Sequence, residues 1–94
     1  KVRQALLGGF AQSRILEAHG QRMLDRNFKP GFKVRLHQKD LNIALSTGKA
    51  LAVPLPATAV VAEAFTALRG LGRGDLDHSS LVTLIEDLAK VEVR

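Results

Sequence analysis

Apolar positions recur along this chain at steps of three and four, the period of a helix that buries one side. From Val2 to Asn27 the stripe is Val2, Leu6, Gly9, Ser13, Leu16, Gly20, Met23 and Leu24. Gly8-Gly9 weakens it, since glycine costs about 1 kcal/mol against alanine inside a helix. The stretch therefore reads either as one long helix or as two meeting at a bend there. Gly9, Ser13 and Gly20 are small enough to let a second backbone approach the stripe. Met23 reads as core filler. Pro30-Gly31 signals a turn, and the next helix should run from Val34 to Leu51. "AVPLPAT" breaks it, and Pro56 is well placed as the first residue of a third helix. That helix runs to about Leu71, with Ala57, Val60, Val61, Ala64, Leu68 and Leu71 on one face. "GLGRGDLDHSS" offers glycine for its end and Asp77 or Ser79 as the next cap. A last helix, Ser80 to Val91, turns Leu81, Leu84, Ile85 and Leu88 inward. No segment alternates apolar and polar for long. The pattern predicts one all-α domain, residues 1–94, of four to five helices.

The helix from Val34 is the most informative. On a helical wheel, Arg35, Gln38, Lys39, Asn42, Ser46 and Lys49 gather on one polar arc. The wide remainder is apolar, which predicts packing on several sides and a central place in the domain. His37, Asp40 and Thr47 interrupt that apolar arc, with Lys39 at its border. A carboxylate among apolar neighbours costs several kcal/mol unless it is partnered. Two accounts stay open. In the first, His37 and Asp40 pair locally at i, i+3, or Asp40 caps a neighbouring segment; in the second, Lys39 and Asp40 project into a cleft that a ligand or a second domain completes.

Composition narrows the chemistry. Ninety-four residues bury one modest core, and with four Phe and no Trp or Tyr it must be built of Ala, Leu and Val. The absence of cysteine removes disulfides and thiolate metal sites. The longest apolar run, Ala50 to Ala62, contains two prolines and is too short to span a bilayer. No secretory signal is visible, and a cytoplasmic setting is expected. The net charge of +5 is uneven: residues 1–39 carry nine Lys/Arg against two acids, residues 40–94 five against seven. A basic half suits an anionic neighbour or a solvated surface. A basic nucleic-acid module and a purely structural module are the alternative functions, although no Tyr or Trp is available for base stacking.

Other motifs yield to simpler readings. "GLGRGD" follows a helix and not a strand, so it ends a helix instead of cradling a phosphate. His19, His37 and His78 lack the spacing of a zinc helix motif, and no metal site is expected. "DLDHSS" holds the residue types of a hydrolase triad, but a helix cap accounts for Asp77 and Ser79.

"RNFKPGF", "LHQKDLNIAL", "VPLPATA" and "DHSSLV", in this order and spacing, resemble the C-terminal domain of the β-hydroxyacid dehydrogenases. The resemblance covers essentially the whole chain. It implies the all-α fold of the 6-phosphogluconate dehydrogenase C-terminal domain, an N-terminal Rossmann domain as partner and homo-oligomerisation. It also implies NAD or NADP as cofactor and hydride transfer on a small 2- or 3-hydroxy acid. Under it, Lys39 matches the "KDL" lysine that contacts the cofactor. Asp40 matches the adjacent active-site aspartate, in a supporting role, and Phe32 the aromatic residue beside the substrate. The family's glycine-rich nucleotide fingerprint and its lysine-bearing "GxxGxxxKxxxN" helix have no counterpart here. The chain opens on "KVRQALLGGF", without an initiator Met. It is thus expected to be a piece of a larger reductase, inactive and without bound cofactor by itself.

Overall fold

The computed structural model describes residues 1–93. Five α-helices follow in order: α1 Val2–Leu7, α2 Arg14–Leu24, α3 Val34–Ala50, α4 Pro56–Gly70 and α5 Leu81–Ala89, the last continuing a 3-10 turn at His78–Ser80. No strand forms among the described residues; one antiparallel bridge joins Lys33 to Asp77. None of the described helices is long and apolar enough to cross a membrane. The all-α expectation holds, and the first segment is two helices.

Capping explains most boundaries. The chain leaves α1 at Gly8, and Ser13 restarts it by accepting a hydrogen bond from Leu16 N–H at 2.9 Å. Pro56 opens α4, as its spacing predicts. α3 has no side-chain cap. Its first N–H groups donate instead to the α4–α5 loop, Val34 to the Leu76 carbonyl and Arg35 to that of Gly74, both at 2.9 Å. The loop read as a helix stop is therefore also the cap of a distant helix.

Four helices end in the same way. The chain turns left-handed at Arg26, Ala52, Gly72 and Lys90. The next residue then donates back five positions: Asn27 to Arg22, Val53 to Gly48, Arg73 to Leu68 and Val91 to Glu86. Only Gly72 adopts this conformation freely; a side-chain-bearing residue pays about 1 kcal/mol or more for it.

The core is small. Val34, Phe65 and Leu68 are almost wholly buried, Ala62 lies nearby on α4, and Leu41, Leu81 and Leu84 pack around them. Several helix-wheel expectations fail here. α4 buries Ala62, Phe65 and Leu68, leaving Val60 and Leu71 exposed. α3 packs chiefly on α4 and is not surrounded: Val34, Gln38 and Gly48 are buried, whereas Ile43 is 58% exposed. Ile85 and Leu88 of α5 also face outward. Periodicity finds an apolar arc but assumes that something covers it. The small-residue stripe does not form one helix face: Gly9 lies in the α1–α2 turn and Ser13 is a cap. Only Gly20 permits a close approach, with the Arg3 side chain 3.1 Å from where a Cβ would stand. The Cα radius of gyration, 14.4 Å, exceeds the ~12–13 Å of a compact chain of this length.

The basic half is largely answered by the acids of the other half. Arg22 meets Asp77, Lys33 and Arg35 meet Asp75, and Arg26 meets Glu86 and Glu92. The Arg35 hydrogen bond and the Lys33 charge hold the Asp75 carboxyl below its ordinary value.

Candidate functional site

Two neighbouring regions on either side of α3 carry the polar chemistry. The first is a groove of about 510 Å³ along the polar arc of α3, lined by Arg35, Lys39, Asn42, Ser46, Thr47 and Arg69. Arg69 donates to Gln38 Oε1 at 3.0 Å, and Gln38 Nε2 donates to Thr66 Oγ1 at 2.8 Å. This relay satisfies a buried glutamine and fixes the arginine between α3 and α4. Lys39 Nζ stands 3.3 Å from Asp40 Oδ1, both side chains more than half exposed. Asp40 is thus no buried carboxylate, which corrects its place in a covered apolar arc. Asp40 does not line the groove, and neither does Phe32. The groove presents three cationic side chains and several neutral polar groups; Arg35 and Lys39 also pair with Asp75 and Asp40.

The second region is centred on Asp77. Its Oδ1 accepts from Gly31 N–H at 2.9 Å and Phe32 N–H at 3.0 Å; its Oδ2 accepts from Ser79 N–H at 3.0 Å and Ser79 Oγ at 2.5 Å. Arg22 Nε lies 3.6 Å from the same Oδ2. Arg22 also holds the preceding turn through the Asn27 and Lys29 carbonyls. Burial by itself would push the Asp77 carboxyl up. The Ser79 hydroxyl and the N–H groups of Phe32, Ser79 and Gly31 outweigh it and hold the carboxyl well below the usual range. The expected cap is present, and it also ties the Pro30-Gly31 turn to the start of α5.

Around this anchor, three histidines distant in sequence come together. His78 Nδ1 is 2.9 Å from His37 Nδ1, and His78 Nε2 is 3.2 Å from His19 Nε2. Phe32 is half-buried against them, its ring 5.4 Å from that of His78 and 5.7 Å from that of His37; Phe65 closes the other side at 4.7 Å from His37. Burial lowers the pKa of both His37 and His78. The Asp40 charge opposes this at His37 and the Asp77 charge at His78, where His19, His37 and Arg22 act with burial. His37 therefore meets His78 directly, and Asp40 reaches it only as a nearby charge, not as the local hydrogen-bond pair considered for it. Nothing in the histidine spacing announces this cluster, because it depends on how α2, α3 and the 3-10 turn converge.

Residues 1–85 match the family model described as NAD-binding of NADP-dependent 3-hydroxyisobutyrate dehydrogenase. Among curated relatives, the 2-hydroxy-3-oxopropionate reductase of Escherichia coli (strain K12) is 58% identical over 89 residues, covering 95% of this chain and 30% of that protein. A probable mitochondrial 3-hydroxyisobutyrate dehydrogenase-like protein of Arabidopsis thaliana is 34% identical over 94 residues, covering 100% of this chain and 28% of its own. A crystal structure of 3-hydroxyisobutyrate dehydrogenase from Salmonella typhimurium superposes with a TM-score of 0.84 at 26% identity, over 88% of this chain and 29% of that one. The chain thus spans about 30% of the length of the curated relatives it matches. With the match running from Lys1 to Ile85 and the helical fold in common, this chain belongs to the 3-hydroxyisobutyrate dehydrogenase family, in the part that family assigns to NAD binding.

Proposed function

We propose that this chain is the C-terminal helical domain of an NAD(P)-dependent hydroxyacid reductase. Its reaction is the reduction of 2-hydroxy-3-oxopropionate (tartronate semialdehyde) to D-glycerate. A 3-hydroxyisobutyrate dehydrogenase-like activity is the second reading, favoured by the family model. The observation that carries the proposal is the groove on α3, where Lys39 stands with Arg35 and Arg69 in a chain 58% identical to a reductase of that name.

The nicotinamide cofactor, when bound, supplies the hydride that converts the substrate carbonyl to an alcohol. The groove suits such a dinucleotide, whose pyrophosphate and ribose groups need both cations and neutral donors. Lys39 acts as a positive charge and hydrogen-bond donor toward it. Asp40, 3.3 Å from Lys39 Nζ, orients the ammonium. Phe32 forms an apolar wall toward the substrate while bracing His37 and His78. The general acid/base lysine and the Rossmann domain are supplied from outside these 94 residues. The exposed apolar residues of α4 and α5 suit burial against that domain and a second copy.

In the full-length enzyme, Lys39→Ala should raise the cofactor KM and lower turnover, on the order of 10-fold or more in kcat/KM for a lost charged hydrogen bond. Wild-type kinetics in that variant would sink the assignment. The 94-residue chain alone should not reduce tartronate semialdehyde, and measurable turnover by it would count against the division of labour.

A further inference from the structure

The histidine cluster has no part in the proposed reduction, yet its geometry is that of a metal site. His19 Nε2 and His78 Nε2 face each other at 3.2 Å. Two nitrogens bound to one tetrahedral zinc at about 2.0–2.1 Å stand about 3.3 Å apart. The rings meet edge-on with centroids 4.5 Å apart, so one of them must turn about its side-chain bonds for both nitrogens to converge on one ion. His78 Nδ1 is tied to His37 Nδ1 at 2.9 Å. When His78 donates in that bond, its Nε2 presents a lone pair toward His19, the outer hydrogen bond that metal-binding histidines normally have. His19 Nδ1 is buried without a partner, so His19 answers to no group but His78. An Asp77 carboxylate oxygen and the two imidazole nitrogens all lie within 4.8 Å of one another. The oxygens of Asp77 already accept four hydrogen bonds, so this carboxylate serves as the counter-charge, shared with Arg22. A cavity of about 290 Å³ adjoins the rings, walled by Ile15, Met23, Val61, Phe65 and Leu81. It leaves room for water or a small donor to complete the coordination.

We propose that His19 and His78 bind a late first-row transition-metal ion, Zn²⁺ as the reference case, through their Nε2 atoms. His37 positions His78, and Asp77 balances the charge. Imidazole nitrogens beside a carboxylate favour zinc or copper over magnesium or calcium.

The test uses chelator-stripped purified protein titrated with zinc sulfate by calorimetry, and with Co²⁺ followed by visible ligand-field absorption. The expected result is one ion per chain, with tetrahedral cobalt bands. His19→Gln and His78→Gln should each lose the site, and His37→Gln should weaken it 10- to 100-fold, as loss of an outer hydrogen bond does. Circular dichroism separates lost binding from lost folding; should His78→Gln unfold, His19→Gln on the more open face of α2 gives the decisive measurement. Binding undiminished in His19→Gln, or no binding by the wild type, overturns the proposal.

Discussion

Replacing Asp77 tests the anchor on which both regions depend. The side chain is wholly buried and collects three backbone N–H groups, one hydroxyl and a nearby guanidinium. Asp77→Ala leaves the N–H groups of Gly31, Phe32 and Ser79 without an acceptor. Each buried orphan costs about 1–3 kcal/mol, and partial access of water to the Pro30-Gly31 turn lowers the sum. A loss of roughly 3–5 kcal/mol follows, comparable to breaking a buried ion pair. A domain of this length has only about 5–14 kcal/mol in hand, and each kcal/mol moves the midpoint by roughly 4–8 °C. Thermal unfolding followed by circular dichroism should therefore fall by more than about 10 °C. Asp77→Asn keeps one acceptor oxygen for Gly31 and Phe32, and its NH2 can donate to the Ser79 hydroxyl, leaving only the Ser79 N–H unsatisfied, so it should lose less, about 1–3 kcal/mol. The pH dependence gives an independent check. The folded-state pKa of Asp77 lies below the unfolded value, so its contribution is complete above the unfolded pKa of about 3.9. It is lost as pH falls from there through the folded-state value. The wild type should lose stability progressively on acidification below about pH 4, and Asp77→Asn should lack that component. A midpoint for Asp77→Ala within about 4 °C of wild type, or an unchanged acid limb in Asp77→Asn, would refute the reasoning.

Gly48→Ala places a Cβ 2.8 Å from Leu55 Cδ1 and 2.9 Å from the Val53 carbonyl oxygen; overpacking against backbone should cost about 1–3 kcal/mol in urea unfolding, and an unchanged midpoint would show that the α3–α4 turn yields freely. Glu86 accepts from both Nη atoms of Arg26 and from Val93 N–H, and the Arg26 hydrogen bond leads in holding its carboxyl below the ordinary value against burial. Glu86→Gln should loosen the segment after α5, read as faster amide exchange at Val93; unaltered exchange would remove Glu86 as its latch. Ala52→Gly relieves a left-handed alanine at φ 55° and should stabilise by up to about 1 kcal/mol once the added freedom of the unfolded chain is subtracted; a lower midpoint would count against strain there.

Element existence was legible because caps and breakers are local. Pro56 and Gly72 act on groups within a few residues of themselves, and the helices begin and end close to where those residues stand, whereas Ser13, read as part of a small-residue stripe, is the cap of α2. The left-handed ends at Arg26, Ala52 and Lys90 were not legible, since none carries the glycine that marks such a turn. Burial was harder to read. The apolar arc of α3 contains both fully buried Val34 and exposed Ile43, because only part of it meets α4 and the 3-10 turn. Gln38, assigned to the polar arc, is buried because Thr66 and Arg69 satisfy its amide. Lys39 and Asp40 stood out in the pattern, but their exposure and the direction of the groove did not.

Local chemistry was enough to set an all-α chain, its turn at Pro30-Gly31, the cap at Asp77 and a polar face on α3. These follow from interactions that span a few residues and are present in any conformation that keeps the local geometry. The convergence of His19, His37 and His78 belongs to the tertiary structure alone, as does the capture of Gly31 and Phe32 by Asp77 across more than forty residues. No sequence interval encodes these contacts; they arise where α2, α3 and the start of α5 pack against one another, and their polar groups must then satisfy each other away from water.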